Sequence, residues 1–181
     1  LVDLACEYNY MLGEAHALLR PTPLLSSMIE GCTKKGRDCT KGGAKYNSSG
    51  TACICLADIT DSLMSIRTLV YEKQVCTLRE MVEAVKANFE GYDVMRSRIL
   101  TEVPLFGSGN DEAVAMANRV TRFMKDAFWA KSNYRGGHYT TGFGTMSNHV
   151  AFGTLTGARP SGRKADMPFT PGLTPEANAS K

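Results

Sequence analysis

Nowhere in this chain of 181 residues does an apolar run approach the eighteen or so positions that a membrane span requires. No stretch reads as a secretory leader. Strong charge of either sign is also missing: the net charge is only +3, a balance that argues against a nucleic-acid partner. Metal-ligand spacing is lacking as well. Cys53-x-Cys55 has no second pair to complete a zinc site, His138 and His149 lie far apart, and His16 stands alone in a helical stretch. There is no internal repeat and no low-complexity tract.

What remains is the composition of an ordinary globular protein, 43% hydrophobic and 22% charged, with a mean hydropathy of −0.20. The length is ample for one domain with a proper core. Six cysteines (Cys6, Cys32, Cys39, Cys53, Cys55 and Cys76) invite a disulfide reading. Disulfide frameworks mostly serve small secreted domains that cannot build a core. This chain can build one, so reduced thiols in a cytoplasm are expected.

Helical periodicity comes first along the chain. Leu4, Tyr8, Met11, Ala15 and Leu18 recur at threes and fours, a helix that Pro21 and Pro23 must end. A second short helix is predicted from about Leu24 to Lys35, then a turn-rich loop from Gly42 feeding a buried strand that ends near Cys55. Leu56, Ile59, Leu63, Ile66 and Val70 predict a helical stripe facing the core. "TLRE" at Thr77–Glu80 has the form of a capping box, followed by a helix carrying Leu78, Met81, Val85 and Phe89 inward. Asn110 suits the N-cap of a helix to about Lys131, with Val114, Ala117, Val120, Met124 and Phe128 on one side. After Asn133 the chain turns glycine-rich with short β-prone runs. Helices packed around buried strands and functional loops is the architecture this predicts. The helical opening and the bare ending "TPEANASK" suggest an internal segment of a longer protein.

The stretch Glu30–Gly50, "EGCTKKGRDCTKGGAKYNSSG", has the most obvious chemistry. Cys32 and Cys39 stand among Lys34, Lys35, Arg37, Lys41 and Lys45, and nearby cations favour a nucleophilic thiolate. Packing is the competing reading of Cys32, which falls near the end of an amphipathic helix. "GGAKYNSSG" and "GARPSGRKAD" resemble phosphate loops only in composition; neither fits the P-loop or dinucleotide pattern, and tight turns account for their glycines.

Taken together, "RPTPLLSSMIEGC", "KGGAKYNSSGTA", "LADITDSLMSIRTLVYE", "NYRGGHYTTGF" and "FGTLTGARPSGRKADMPFTPGLTP" resemble the glycyl radical enzymes in order and spacing. The strongest marks are Gly157–Ala165 and Gly42–Asn47. The resemblance implies that residues 1–181 are a single partial domain, an internal segment of a pyruvate formate-lyase-like catalytic domain. Its fold class would be α/β, part of a ten-stranded barrel surrounded by helices. It also implies a glycyl radical installed by an activating enzyme that uses S-adenosylmethionine and an iron–sulfur cluster. That radical passes to a cysteine whose thiyl form abstracts hydrogen from substrate, inside a barrel that excludes water. The thiyl cysteine is expected upstream of Pro21 in a G-C-V-E-like motif, and the glycyl loop downstream of Lys181. By this reading no catalytic residue, cofactor or metal ligand lies in the chain itself, Gly31–Cys32 is a decoy, and the chain alone is inert.

The loop endings most resemble the alkylsuccinate and benzylsuccinate synthase branch, which implies addition of a hydrocarbon to fumarate in anaerobic hydrocarbon degradation. Thr140 in place of a glutamine found in toluene-type relatives points to an alkane substrate or a different branch. The alternative is a dehydratase or C–N lyase of the hydroxyproline dehydratase kind, acting on a small polar substrate. Partners implied are hydrocarbon and fumarate, the activating enzyme and small accessory subunits. By the same resemblance Tyr46, Asn47, Ser48, Thr140 and Gly142 line the substrate cavity: Tyr46, Asn47 and Thr140 as hydrogen-bonding groups, Thr140 and Gly142 as small residues that leave room. For Tyr46 and Asn47, holding the loop is an equal alternative. A nucleotide- or nucleic-acid-binding module built on the basic glycine loops is the remaining reading, disfavoured by the mild charge.

Overall fold

The computed structural model describes residues 1–176; the last five positions of the chain, and with them most of the "TPEANASK" ending, lie outside the described residues. In chain order the elements are α1 (Val2–Leu19), α2 (Pro23–Met28), α3 (Cys32–Lys35), a 3₁₀ turn at Cys39–Lys41, β1 (Ser49–Cys53) and α4 (Leu56–Ser65). After α4 a π-helical segment runs over Ile66–Glu72. Then follow α5 (Leu78–Lys86), α6 (Asp93–Glu102), α7 (Asp111–Trp129), β2 (Tyr139–Phe143) and α8 (His149–Thr154). β1 and β2 pair in parallel: Ser49 N–H donates to His138 C=O at one end (3.1 Å), and Gly144 N–H to Cys53 C=O at the other (3.3 Å). The chain forms two compact units, Leu1–Ala52 with Arg122–Gly142, and 53–121 with the residues from 143 onward.

In the first unit, Cys6, Phe128 and Tyr139 form a small core, with Val2 and Met124 packed against it. The Tyr139 hydroxyl donates to the Cys6 carbonyl at 3.0 Å, so its one polar atom is satisfied where the ring is buried. The periodic residues that mark α1 as a helix are mostly not its buried ones. Leu4 is 67% and Leu18 70% exposed, and Tyr8 and Met11 are also exposed, while Cys6 and Ala17 are covered. Helix α1 is apolar around most of its girth, so periodicity alone does not say which stripe meets this unit. The expected second helix is two short ones. Between them Gly31 sits at φ +101° with the backbone of Gly43–Lys45 so close that a Cβ would stand 2.9 Å from Lys45 N. Strand β1 is half-exposed rather than buried.

The second unit has the larger core: Met64, Leu69, Cys76, Met81, Ala84, Phe89, Ile99, Val103, Leu105 and Ala158. Burying each of its large side chains contributes about 1.5–3 kcal/mol. The capping box is as predicted, with Thr77 Oγ1 accepting from Glu80 N–H (3.2 Å) and Glu80 Oε2 accepting from Thr77 N–H (2.7 Å). Helix α5 then ends on two consecutive left-handed residues, Asn88 (φ +54°) and Phe89 (φ +61°). That conformation costs a non-glycine residue about 1–2 kcal/mol. It turns the Phe89 ring into the core, where the ring is fully buried, and aims Asn88 Oδ1 at Ala165 N–H (2.8 Å).

Helix α4 corrects part of the predicted stripe. Leu56 is buried as expected, but Ile59 and Leu63 are exposed; Ala57, Asp58, Thr60, Asp61, Met64 and Ser65 are the other buried ones. Polar residues take the inner face because backbone groups there need partners: Asp61 Oδ1 accepts Phe106 N–H at 2.6 Å, and Thr60 Oγ1 donates to Leu56 C=O at 2.7 Å. On α7, Asn110 Oδ1 accepts from the N–H groups of Glu112 and Ala113, as a cap should. Its Val114 is exposed, while Ala113, Ala117 and Phe128 are buried. Replacing Ile99 by Ala should destabilise the second unit by about 2–5 kcal/mol, read as a shift in the denaturant midpoint. A change below 0.5 kcal/mol would contradict the core assigned here.

Candidate functional site

A glycine-rich loop has few side chains to bury, so its order depends on finding partners for its backbone groups. In the first unit one side chain does most of this. Asn133 is 4% exposed. Its Oδ1 accepts from Arg135 N–H (3.0 Å) and Gly137 N–H (3.0 Å), closing the turn it begins. Its Nδ2 donates to Asn47 C=O (2.6 Å) and Ser49 Oγ (2.9 Å). All four hydrogen-bonding positions of the amide are used, and none survives exchange of its O and N. Arg135 adds a second tie, Nη2 donating to Ser48 C=O at 2.7 Å and to Ser49 Oγ at 3.2 Å.

The glycines make the close approach possible. A Cβ on Gly137 would lie 2.3 Å from Asn47 O, and one on Gly42 would lie 2.7 Å from Arg135 O. Gly43 is tighter still against Arg37. The two segments singled out in the sequence, Tyr46–Ser49 and Tyr139–Gly142, are therefore brought together, joined by strand pairing and by Asn133.

The individual residues behave differently. Tyr46 is 80% exposed, its ring 5.6 Å from the Lys45 ammonium. Asn47 is half-buried and turned into its own loop, Nδ2 donating to Ala44 C=O (3.0 Å) and Gly42 C=O (3.4 Å); its Oδ1 is buried without a partner among the described residues. Ser48 is exposed and offers its carbonyl to Arg135. Thr140 Oγ1 reaches Ser49 C=O at 3.4 Å, and the Cα of Gly142 faces open space. Asn133 and Arg135 were not singled out from the sequence. Their signal was the run "NYRGG", in which an amide and a guanidinium flank a turn.

The lysines do not activate Cys32. Cys32 is buried, and that burial pushes its thiol up from the ordinary value, against the smaller opposing pull of Lys35. The Lys35 ammonium bonds Ala44 C=O instead (2.9 Å). The organiser of this stretch is Asp38. Its carboxylate accepts from the Thr40 hydroxyl (2.6 Å) and from the N–H groups of Thr40 and Thr22 (2.8 Å each). These bonds hold its carboxyl well below the usual range. None of the six cysteines forms a disulfide; Cys6, Cys32 and Cys76 are buried and the others half-exposed. Cys55 is pushed up to about 11 by burial and by Asp58 beside it.

In the second unit the G-A-R-P-S-G-R-K-A run owes its form to Arg163. That side chain is 6% exposed and donates to Gly157 C=O (3.0 Å), Thr156 C=O (3.4 Å), Gly153 C=O (2.7 Å) and Met167 C=O. Its guanidinium stacks 4.3 Å from the Phe169 ring centre. Among the described residues no group of His, Cys, Asp and Glu is arranged to hold a metal ion.

A family profile for Pyruvate formate lyase-like proteins matches residues 1–153. The chain belongs to that family. It is 29% identical to the trans-4-hydroxy-L-proline dehydratase of Clostridioides difficile over 176 residues, 97% of this chain and 22% of the relative. The B12-independent glycerol dehydratase from Clostridium butyricum, solved with glycerol bound, superposes with a TM-score of 0.93 at 32% identity over 98% of this chain and 22% of its own. A glycyl radical enzyme from Archaeoglobus fulgidus superposes at 0.91 and 34%, over 98% and 23%. The chain thus spans about a fifth of the relatives it matches. The two described parallel strands are consistent with a part of their α/β fold. Fumarate addition, the activity expected from the loop endings, finds no support in these relatives; those whose activity is named here are dehydratases, which favours the alternative reading.

Gly137→Ala should destabilise the first unit by about 1–3 kcal/mol through the contact with Asn47 O, whereas Gly142→Ala should stay within about 0.5 kcal/mol. Paired denaturant melts check this; equal effects would contradict the close approach described.

Proposed function

We propose that this chain is part of a glycyl radical enzyme that eliminates a group from a small polar, hydroxylated substrate, a dehydratase or related lyase rather than a fumarate-adding synthase. The carrying observation is that two dehydratases match it across 97–98% of its length, the loops around Tyr46–Ser49 and Tyr139–Gly142 included. The side chains on these loops agree. Tyr46, Ser48 and Thr140 offer hydroxyls, and a site presenting hydrogen-bonding groups rejects substrates that leave them unpaired. An alkane would leave them so.

In this reading Tyr46, Ser48 and Thr140 contact substrate oxygens and Gly142 leaves room beside them. Asn47 shapes the loop with its Nδ2 and keeps Oδ1 as a spare acceptor. Asn133 and Arg135 are positioning residues. The radical chemistry belongs to the whole enzyme, whose glycyl radical an activating enzyme would install. What this chain supplies is part of the wall that orients the substrate and excludes water.

The complete enzyme, activated under anoxia, should convert trans-4-hydroxyproline or a vicinal diol such as glycerol to its dehydration product. Thr140→Val should raise KM at least tenfold, as expected when a bound hydroxyl loses its partner. Formation of a succinate adduct from fumarate and a hydrocarbon, with no dehydration, would overturn the proposal.

A further inference from the structure

Helix α1 meets its own unit largely with small side chains. Cys6 packs with Phe128 and Tyr139, Ala17 is covered, and a Cβ on Gly13 would stand only 3.0 Å from Tyr134 Cβ. Tyr10 meets the Tyr134 ring edge-on, 5.5 Å between centres, and Asp3 pairs with Lys131 at 2.5 Å. With 3.6 residues per turn, these positions share one side of the helix.

Large apolar residues take the opposite side. Leu4, Tyr8, Met11, Ala15 and Leu18 follow one another at steps of four, three, four and three. That is the a and d alternation of a helix that lies against another helix. Written as heptads, Leu4, Met11 and Leu18 are d, Tyr8 and Ala15 are a, and Cys6 and Gly13 fall at f, the position turned furthest from the seam. Ala15 is half-buried, and the other four are between 54% and 70% exposed. Leu12 and Leu19, at e, are exposed too and widen the stripe. Single apolar side chains at a surface are ordinary, but a contiguous row of them marks a docking surface.

The flanks of the seam choose what covers it. A helix that lies on a membrane carries Lys and Arg beside its apolar face, whereas α1 has Glu7 and Glu14 at the g positions. A second copy of α1 fits no better. Antiparallel pairing sets g against g, carboxylate against carboxylate; parallel pairing sets Glu7 and Glu14 against the e positions, where Leu12 and Leu19 stand. A helix from elsewhere in a longer protein meets neither objection, and the relatives have chain enough to supply one. The match to the glycerol dehydratase covers 98% of this chain, too much to leave out the 18 residues of α1, and about four fifths of that relative lies outside the match.

We propose that the Leu4–Tyr8–Met11–Ala15–Leu18 face of α1 is an internal docking seam, covered in the complete protein by a helix of the same polypeptide from outside these 181 residues. Helix α1 is then a spacer with two working faces. Its small side chains seat it closely on its own unit, and its large ones hold the added helix by apolar packing at the a and d positions. The seam rests on the reading of the chain as part of a larger glycyl radical enzyme, and not on which group that enzyme eliminates.

The experiment is a brief pulse of hydroxyl radicals on the complete protein, left unactivated so that it carries no radical of its own, with oxidation read peptide by peptide by mass spectrometry. Tyr8, Met11 and Leu18 should be oxidised roughly tenfold more slowly than in the same protein unfolded in denaturant, as covered side chains are, at every protein concentration. Rates equal to those of the unfolded protein would overturn the seam. Protection that arises only on dimerisation, or only when a separate protein is added, would overturn it too. For a protein that is dimeric at all concentrations, Met11→Cys decides. Self-pairing in either direction brings the two copies' positions 11 within about one helical turn of each other. A dimer cross-linked by a short bis-maleimide in M11C and not in the wild type overturns the seam; no such dimer, with Tyr8 and Leu18 still protected, supports it. An intact mass no larger than the 19.7 kDa of this chain would fail the larger-enzyme reading and the seam with it, whereas a larger protein with a readily oxidised seam fails the seam alone.

Discussion

The need to pair the backbone of glycine-rich segments governs both halves of this molecule. Glycine allows chain to lie against chain, as where Gly137 meets Asn47, but it offers nothing apolar to bury. A few buried polar side chains supply the missing order. Asn133 spends its whole amide on one turn and one strand entrance. Arg163 spends four hydrogen bonds on carbonyls from Gly153, Thr156, Gly157 and Met167. Each such group, stripped of its partner, would leave several buried backbone atoms unsatisfied, at about 1–3 kcal/mol apiece. The sequence runs that mark the family, "NYRGG" and "GARPSGRKA", are therefore first of all the fold's fastenings.

This gives the proposed function its physical basis. Substrate groups on a loop are useful only if the loop is held still, within a fraction of an ångström of productive geometry. Tyr46, Ser48 and Thr140 are exposed or half-exposed and lightly bonded, free to meet a ligand. The backbone beneath them is tied at Asn47, Ser48 and Ser49. Rigid support under loosely engaged side chains is what a binding wall requires. Cys32, which looks more reactive on paper among the lysines, is buried by comparison.

Local punctuation was legible from the sequence, and so was the family. Pro21 and Pro23, the Thr77–Glu80 box and the Asn110 cap mark element ends because each acts through its immediate neighbours. Which face of a helix is buried was not legible where the partners are distant. Asp58 and Asp61 turn inward on α4 because Thr170 and Phe106 need acceptors, and nothing near them in sequence says so. Helix α6 escaped notice since its apolar residues trace no single stripe, only Ile99 being fully buried. The loops Tyr46–Ser49 and Tyr139–Gly142 were singled out through family resemblance, but Asn133, the residue that joins them, sits 86 positions from Asn47 and looks like any turn asparagine. The relatives favour the dehydratase alternative over the branch read from the loop endings.

The central claim is that Asn133 couples the turn after α7 to the entrance of β1. Residue-resolved hydrogen exchange on Asn133→Ala tests it most directly. The account predicts that protection of the Gly137 and Ser49 amides falls together, by a similar factor, while the Thr170 amide in the other unit keeps its own. Loss at Gly137 with Ser49 unchanged would show that the two segments are held independently, and would contradict it.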